Sequence, residues 1–270
     1  MSRRYDFGRN WKEFARGLTP EAIEQAERGV AKLVDDLRGK SFLDIGSGSG
    51  LHSLAAINLG ATRVAAFDYD PDSVETTRSV LTRFAGGANW QVSHNDILAL
   101  DDRPREQFDI VYSWGVLHHT GDMWRAIANA MQFVAPNGLL AIALYRQTPF
   151  CGAWHAEKKL YAGCRAVRPL IRYPFAVALL LAHLLRGRNP VRYVRTYITR
   201  RGMAYMKDID DWLGGYPYQS VDPAELVEYF ESCGFVLDRA FNTERHIGLF
   251  GAGCAEWTFR RGSNSPATGQ

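Results

Sequence analysis

Phe42-Leu43-Asp44-Ile45 runs directly into Gly46-Ser47-Gly48-Ser49-Gly50, after which the apolar spacing turns helical from Leu51 onward. A strand that enters a helix through alternating glycines leaves the backbone few options. The glycines permit a tight turn and close approach to a ligand, and the helix start offers unpaired N–H donors. The spacing is G-x-G-x-G, whereas a dinucleotide fingerprint G-x-G-x-x-G requires glycine at position 51, which is Leu51. Asp68 ends the next apolar run, 22 residues after Gly46, where an acid accepts hydrogen bonds from ribose hydroxyls. Asp96 follows the third such run, again at the carboxyl edge expected to face a ligand.

Around this loop, strand and helix alternate. Thr19-Pro20 caps a helix whose apolar positions (Ile23, Ala26, Val30, Leu33, Val34, Leu37) run to a stop at Gly39. Strands are predicted at 41–45, 62–67, 90–93, 108–114 and, after the turn Pro136-Asn137-Gly138, at 139–145. Helices are predicted at 50–59, from Asp70-Pro71 to Phe84, and after Asp122. Asp70 reads as a helix cap and His52 as a surface or packing residue. Continuous apolar strands between amphipathic helices imply a mostly parallel, doubly wound α/β sheet covered on both faces. Asp222-Pro223 opens a last helix ending at Gly234, followed by strands at 235–241 and 254–260.

Charge divides the chain. Its net +3 conceals a segment, Cys151 to Lys207, with twelve basic residues against the single acid Glu157, leaving the remainder at −8. Within it Asn189-Pro190 starts a helix with Gly202 as the stop, and Arg165, Arg168 and Arg172 share one helical face, as do Arg188, Arg192 and Arg195. Pro174 to Leu185 is apolar, either a core helix or an interfacial one. The longest uninterrupted apolar run, Phe175 to Ala182, has eight residues, so no membrane-spanning helix is expected. The N-terminus lacks an apolar signal core, and Cys151, Cys164, Cys233 and Cys254 form no C-x-x-C pair. A cytoplasmic protein without a metal site is the expectation, with peripheral attachment to the inner face of a membrane through the basic segment as an option. The boundaries that follow are an N-terminal helical cap (1–39), a main domain (40–148 and 216–261), a basic helical insert or lid (149–215) and a disordered tail (262–270).

These motifs resemble those of class I S-adenosylmethionine-dependent methyltransferases, in particular bacterial small-molecule and lipid-type O-methyltransferases. The similar stretches are LDIGSGSG (Leu43 to Gly50), AAFDYDP (Ala65 to Pro71), NDI (Asn95 to Ile97), FDIVYSWGVLHH (Phe108 to His119) and PNGLLAIALY (Pro136 to Tyr145). The resemblance implies a Rossmann-like, seven-stranded sheet with the insert between strands 5 and 6, and S-adenosylmethionine as cofactor. It implies that Asp44 binds the methionine amino group, that Gly46, Ser47, Gly48 and Gly50 pack against the cofactor, and that Asp68 and Tyr69 hold the ribose side. Asp96 and Ile97 would face the adenine, and Ser113 and Trp114 would line the pocket.

His118 and His119 follow the fourth strand, where donor methyl and acceptor should meet, and their ordinary pKa suits proton removal near neutral pH. They serve either as base, with His119 preferred and Tyr145 next, or as pocket walls. Asp211 to Tyr218 is either an aromatic turn or a lid that brings Trp212 and Tyr218 to the acceptor. Phe7 to Phe14 either caps the cofactor or docks on the sheet. The expected activity is O-methylation of a small molecule or a lipid- or glycan-linked acceptor. The alternatives are an inactive cofactor-binding interaction module and a nucleic-acid methyltransferase. Ser113-Trp114-Gly115-Val116 disfavours the latter, because the family's amino-methylating enzymes carry D/N-P-P-Y/F there. Nothing in the sequence fixes the oligomeric state.

Overall fold

The computed structural model describes residues 8, 11, 15, 17–100, 105–197, 204–243 and 253–263. Its centre is a sheet of β1 (Ser41–Ile45), β2 (Arg63–Asp68), β3 (Trp90–His94), β4 (Phe108–Trp114), β5 (Val134–Tyr145), β6 (Phe235–Phe241) and β7 (Cys254–Arg261). Their order is β3-β2-β1-β4-β5-β7-β6, parallel except for β7, which runs antiparallel to both neighbours. This is the doubly wound, mostly parallel seven-stranded arrangement expected, with its order reversing beside β1.

The helices that cover the sheet follow the expected punctuation. α1 (Pro20–Leu33) is capped by Thr19, whose hydroxyl accepts from the Ala22 N–H. It packs with α2 (Leu51–Asn58) on one face, closing Val30, Leu33, Phe42, Val64 and Tyr112 into a core. α3 (Pro71–Phe84), capped by Asp70, extends that layer toward β3. On the other face α4 (Met123–Met131) and α9 (Pro223–Ser232; helices of the insert intervene) bury Ile127, Leu140, Leu226, Phe230 and Trp257. Phe230 stacks on Phe259 of β7, ring centroids 3.7 Å apart.

Two boundaries differ from the sequence expectation. α1 stops at Leu33, because Val34 turns extended, and Val34 and Leu37 reach the core from a loop instead. Their apolar spacing reported burial, and burial does not require helix. β5 begins earlier, at Val134, which pairs with Phe108 while Leu139 pairs with Ile110. The expected turn at Pro136-Asn137-Gly138 is therefore a bulge inside the strand, with Asn137 at φ 63°.

Between β5 and β6 the basic segment folds as α5 (Cys151–Gly163), α6 (Arg168–Leu185), α7 (Pro190–Arg195) and α8 (Tyr205–Gly214). It has its own small core of Tyr161, Ala176, Tyr197, Tyr205, Ile209 and Leu213. Arg168 and Arg172 do not share a face with Arg165, which precedes α6. They turn inward, Arg168 donating to the Tyr161 carbonyl and Arg172 pairing with Asp210. Arg188 likewise precedes α7, although it is exposed with Arg192 and Arg195. By length and composition α6 is long and apolar enough to cross a membrane, contrary to the expectation from uninterrupted runs, because Pro174 and His183 interrupt the run without ending the helix. The Gly202 stop and residues 264–270 lie outside the described residues.

Phe230→Ala should cost about 3–5 kcal/mol, the usual penalty for emptying a large aromatic site in a packed core. Urea denaturation followed by circular dichroism measures it.

Candidate functional site

The glycine loop crosses the carboxyl edge of β1 in a conformation that side chains would obstruct. Gly46 and Gly50 have φ near +76° and +75°. A Cβ on Gly46 would lie 2.4 Å from Val116 Cγ1, and one on Gly50 would lie 2.8 Å from Thr77 Cα. The Gly46 N–H donates to the Phe67 carbonyl at 2.8 Å, and the Gly48 N–H donates to Asp68 Oδ2 at 2.9 Å. The Asp70 N–H donates to the other Asp68 oxygen, so this carboxylate is held by two backbone donors at the mouth of the loop. Burial raises the Asp68 pKa, while these donors lower it. Ser47 hydrogen-bonds to Thr77 at 2.9 Å, tying the loop to α3.

Asp44 sits beneath the loop, 2 % exposed. Ser53, in the first turns of α2, donates to its Oδ2 at 2.6 Å. Desolvation nonetheless raises the Asp44 pKa to about 7, with the nearby Asp68 charge adding to the rise. Sequence reasoning passed over Ser53, whose only signal was a polar residue facing inward at the helix start. The remaining expected cofactor residues are placed differently from one another. Tyr69 is exposed with its ring 6.4 Å from His94, and the Asp96 carboxylate accepts from the Leu98 N–H in its own turn. Ile97 is buried in the core, and Ser113 donates to the Ile45 carbonyl at 3.0 Å, linking β4 to β1. Trp114 donates its indole N–H to Glu256 at 2.9 Å and lies 6.0 Å from the His52 ring. Of Phe7 to Phe14 only Gly8 and Trp11 are described: the Gly8 N–H donates to Asp70, and the Trp11 indole lies against Gly48.

A second cluster lies where β4 and β5 end. His118 and His119, on a single 3-10 turn, pack against Tyr145 with ring centroids 4.0 and 5.3 Å away. Trp212 at 5.0 Å and Tyr218 at 5.2 Å complete an aromatic cage around Tyr145. His119 Nδ1 donates to the Pro217 carbonyl at 2.7 Å. The Gly215 backbone hydrogen-bonds the same ring, so His119 is held by two backbone groups of the 215–217 segment. Gly215 makes the fit possible, since a Cβ there would lie 2.5 Å from His119 Cε1. Burial pushes His119 down to about 4, and pushes His118 well below its ordinary range. Burial likewise raises Tyr145 and Tyr218 well above the usual phenol range, so both remain neutral donors.

Lys158 was not singled out in the sequence, where it was one base among twelve. Its side chain is wholly buried, donates to the Trp212 carbonyl and lies 3.6 Å from the Trp212 ring centroid and 5.8 Å from that of Tyr145. Burial lowers its pKa, and the neighbouring Glu157 carboxylate opposes the fall. A cavity of about 170 Å³ in the insert, lined by Tyr161, Arg168 and Asp210, shares no residue with this cluster. The two clusters give the sheet edge a carboxylate-and-glycine corner and a dry, aromatic, weakly basic corner.

This strand order, with the glycine loop at the carboxyl edge of β1, is a Rossmann-like fold that solved methyltransferases share. Residues 43–140 match the family described as "Methyltransferase domain". It is 35% identical over 109 residues to a ribosomal protein L11 methyltransferase from Tolumonas auensis, covering 40% of this chain and 35% of that one. A ubiquinone biosynthesis O-methyltransferase from Rhodopseudomonas palustris is 28% identical over 122 residues, 45% of this chain and 46% of the relative. The chain thus spans a third to a half of the length of these curated relatives. Among solved structures, the magnesium protoporphyrin IX methyltransferase of Synechocystis with bound SAH superposes with a TM-score of 0.53 at 16% identity, over 89% of this chain and 84% of that one. The Haloferax volcanii complex of the Trm112 activator with a methyltransferase gives 0.57 at 13% identity, over 97% and 98%.

Histidine ring resonances followed by NMR from pH 8 to 5 should show His119 remaining neutral, because its pKa is displaced to about 4. Gly215→Ala should shift those resonances.

Proposed function

We propose that the chain is an S-adenosylmethionine-dependent methyltransferase acting on an oxygen of a small or amphiphilic acceptor. The observation that carries this reading is the pairing, at one sheet edge, of the Asp44–glycine loop–Asp68 corner with the His119–Tyr145 cage. The residues suit the cofactor. Asp44 is a buried carboxylate with too little compensation, as its raised pKa reports, and an ammonium group would supply it. Gly46 and Gly50 leave backbone open where a Cβ would not fit. Asp68, fixed by two backbone donors, keeps lone pairs for ribose hydroxyls. Asp96 borders the adenine side.

The bound cofactor supplies a methyl group already activated on a sulfonium. The protein's task is then alignment, exclusion of water and disposal of a proton. The acceptor hydroxyl gives up its proton as the new oxygen–methyl bond forms, and the His119 imidazole is the nearby base for it. At a pKa of about 4 this imidazole is neutral but weakly basic at neutral pH, so positioning carries more of the rate than proton abstraction. When protonated, Lys158, whose pKa burial lowers to about 7, favours an oxygen acceptor over an amine: its charge stabilises a hydroxyl that is losing its proton and opposes a nitrogen that becomes positive. The named chemistry of the Rhodopseudomonas relative, an O-methyltransferase, supports the same choice. Trp212 and Tyr218 hold the acceptor side, and the Gly214-Gly215 pair lets this segment move for entry. The catalytic domain (40–148 and 216–261) and the insert (149–215) divide these tasks, the insert providing Lys158 and Trp212. Its basic exterior suits an acceptor held at an anionic membrane surface.

Calorimetry with S-adenosylmethionine tests the reading directly; binding of NAD in its place would overturn it. Asp68→Ala should weaken cofactor binding by about 1.5–3 kcal/mol, the worth of hydrogen bonds to a charged group. Cofactor affinity should also fall as pH drops below about 7, because the ammonium needs Asp44 ionised and the proton held there must leave first. The decline approaches roughly tenfold per pH unit below that point, and Asp44→Asn should abolish it along with most of the affinity. His119→Ala should reduce turnover about a hundredfold with cofactor affinity intact; a loss under about threefold would reassign it to packing.

A further inference from the structure

The insert carries a surface that the site chemistry does not use. One side of α6 packs through Ile171, Phe175, Leu179 and Leu180 onto the insert's tyrosine core. The opposite side presents Leu170, Tyr173, Val177, Leu181, Leu184 and Leu185, from 53% to 87% exposed. Spaced by three and four residues, they form one continuous stripe, about 22 Å long at 1.5 Å per residue. No charged side chain interrupts it, since Arg168 and Arg172 on the same helix are tied inward to Tyr161 and Asp210. Val191 and Val194 of α7, which packs against α6, are exposed as well. Single exposed apolar residues are ordinary; a stripe of this length is a docking face.

Charge identifies what it docks on. Arg165 precedes the stripe and Arg186, Arg188, Arg192 and Arg195 follow it, all exposed, and residues 163–197 contain no acid. A second copy of the chain meeting this face would bring two arginine sets together without compensation. An anionic lipid leaflet complements both features, taking the apolar stripe at the acyl boundary and the guanidinium groups at the phosphates. Spanning would strip the inner face of α6 from the tyrosine core, so the helix lies in the interface plane. We infer that α6, flanked by its arginines, is an interfacial helix that seats the insert on an anionic bilayer. The inner face of α6 shares its core with α8, which carries Trp212, so the seated insert would hold the acceptor cage near the lipid surface. This deepens the reading of an amphiphilic acceptor and rests on it only for its purpose; the docking itself needs no methyl transfer.

Co-sedimentation of the full chain with phosphatidylcholine vesicles, with and without phosphatidylglycerol, tests the inference. The wild type should pellet with the anionic vesicles alone, and binding should weaken steeply with salt as the Debye length falls below about 8 Å. Leu181→Asp with Leu184→Asp, and separately charge reversal to Glu at Arg188, Arg192 and Arg195, should each lower the partition more than about tenfold. All substituted residues are exposed, and calorimetry with S-adenosylmethionine on the same variants should give wild-type affinity. Wild-type protein remaining in the supernatant would overturn the inference, as would equal pelleting with neutral vesicles. A concentration-dependent dimer abolished by Leu181→Asp, without vesicle binding, would also overturn it and assign the face to a second copy. Loss of cofactor binding with vesicle binding intact would instead overturn the methyltransferase reading.

Discussion

The turn from β1 into α2 is the constraint on which the rest of this molecule depends. Three alternate residues, Gly46, Gly48 and Gly50, take positive φ, and two of them sit where a Cβ would meet Val116 or the Thr77 backbone. The Gly48 N–H is fastened to Asp68 and the Gly46 N–H to the Phe67 carbonyl, so the loop of β1 and the end of β2 are one unit. That unit sets where α2 begins, which places Ser53 against Asp44. It also defines the crevice at the point where the strand order reverses from β1-β2-β3 to β4-β5, the usual ligand position in open α/β sheets.

Around this turn the sheet edge concentrates ionisable groups in dry surroundings. Asp44, His118 and Lys158 are each almost or wholly inaccessible. Desolvation moves each toward its neutral form, raising the acid and lowering the bases. Groups held this way strengthen every electrostatic contact made in their vicinity, because little water is present to screen it. Their burial opposes folding, and the apolar layers on both faces of the sheet offset that cost. The tyrosine core of the insert serves the same end locally, closing Lys158 and Trp212 over Tyr145.

The glycine spacing, Asp68 and the alternation of apolar runs with capped helices specified the sheet and one corner of its site, because those signals are local: each depends on backbone geometry within a few residues. Legibility declined wherever a residue's role depends on distant partners. Ser113 is a polar residue at a strand end like any pocket residue, yet its hydroxyl reaches the Ile45 carbonyl across the sheet. Lys158 was indistinguishable from its basic neighbours until α5 and α8 enclosed it. The backbone partners of His119 could not be read at all, since Pro217 and Gly215 lie about a hundred residues away in sequence.

By itself, then, the sequence determined a doubly wound α/β domain with a glycine turn at Gly46–Gly50 and an acid, Asp68, at the next strand end, and a basic segment set apart from an acidic body. Tertiary structure alone decided what holds the His119 ring, which lysine is buried, and which side of α6 is turned outward. An amphipathic pattern carries no label for its buried side when both sides are apolar. Only the tyrosine core beneath α6 distinguishes Phe175 and Leu179 from Val177 and Leu181, because burial is a property of what packs against a residue and not of the residue itself.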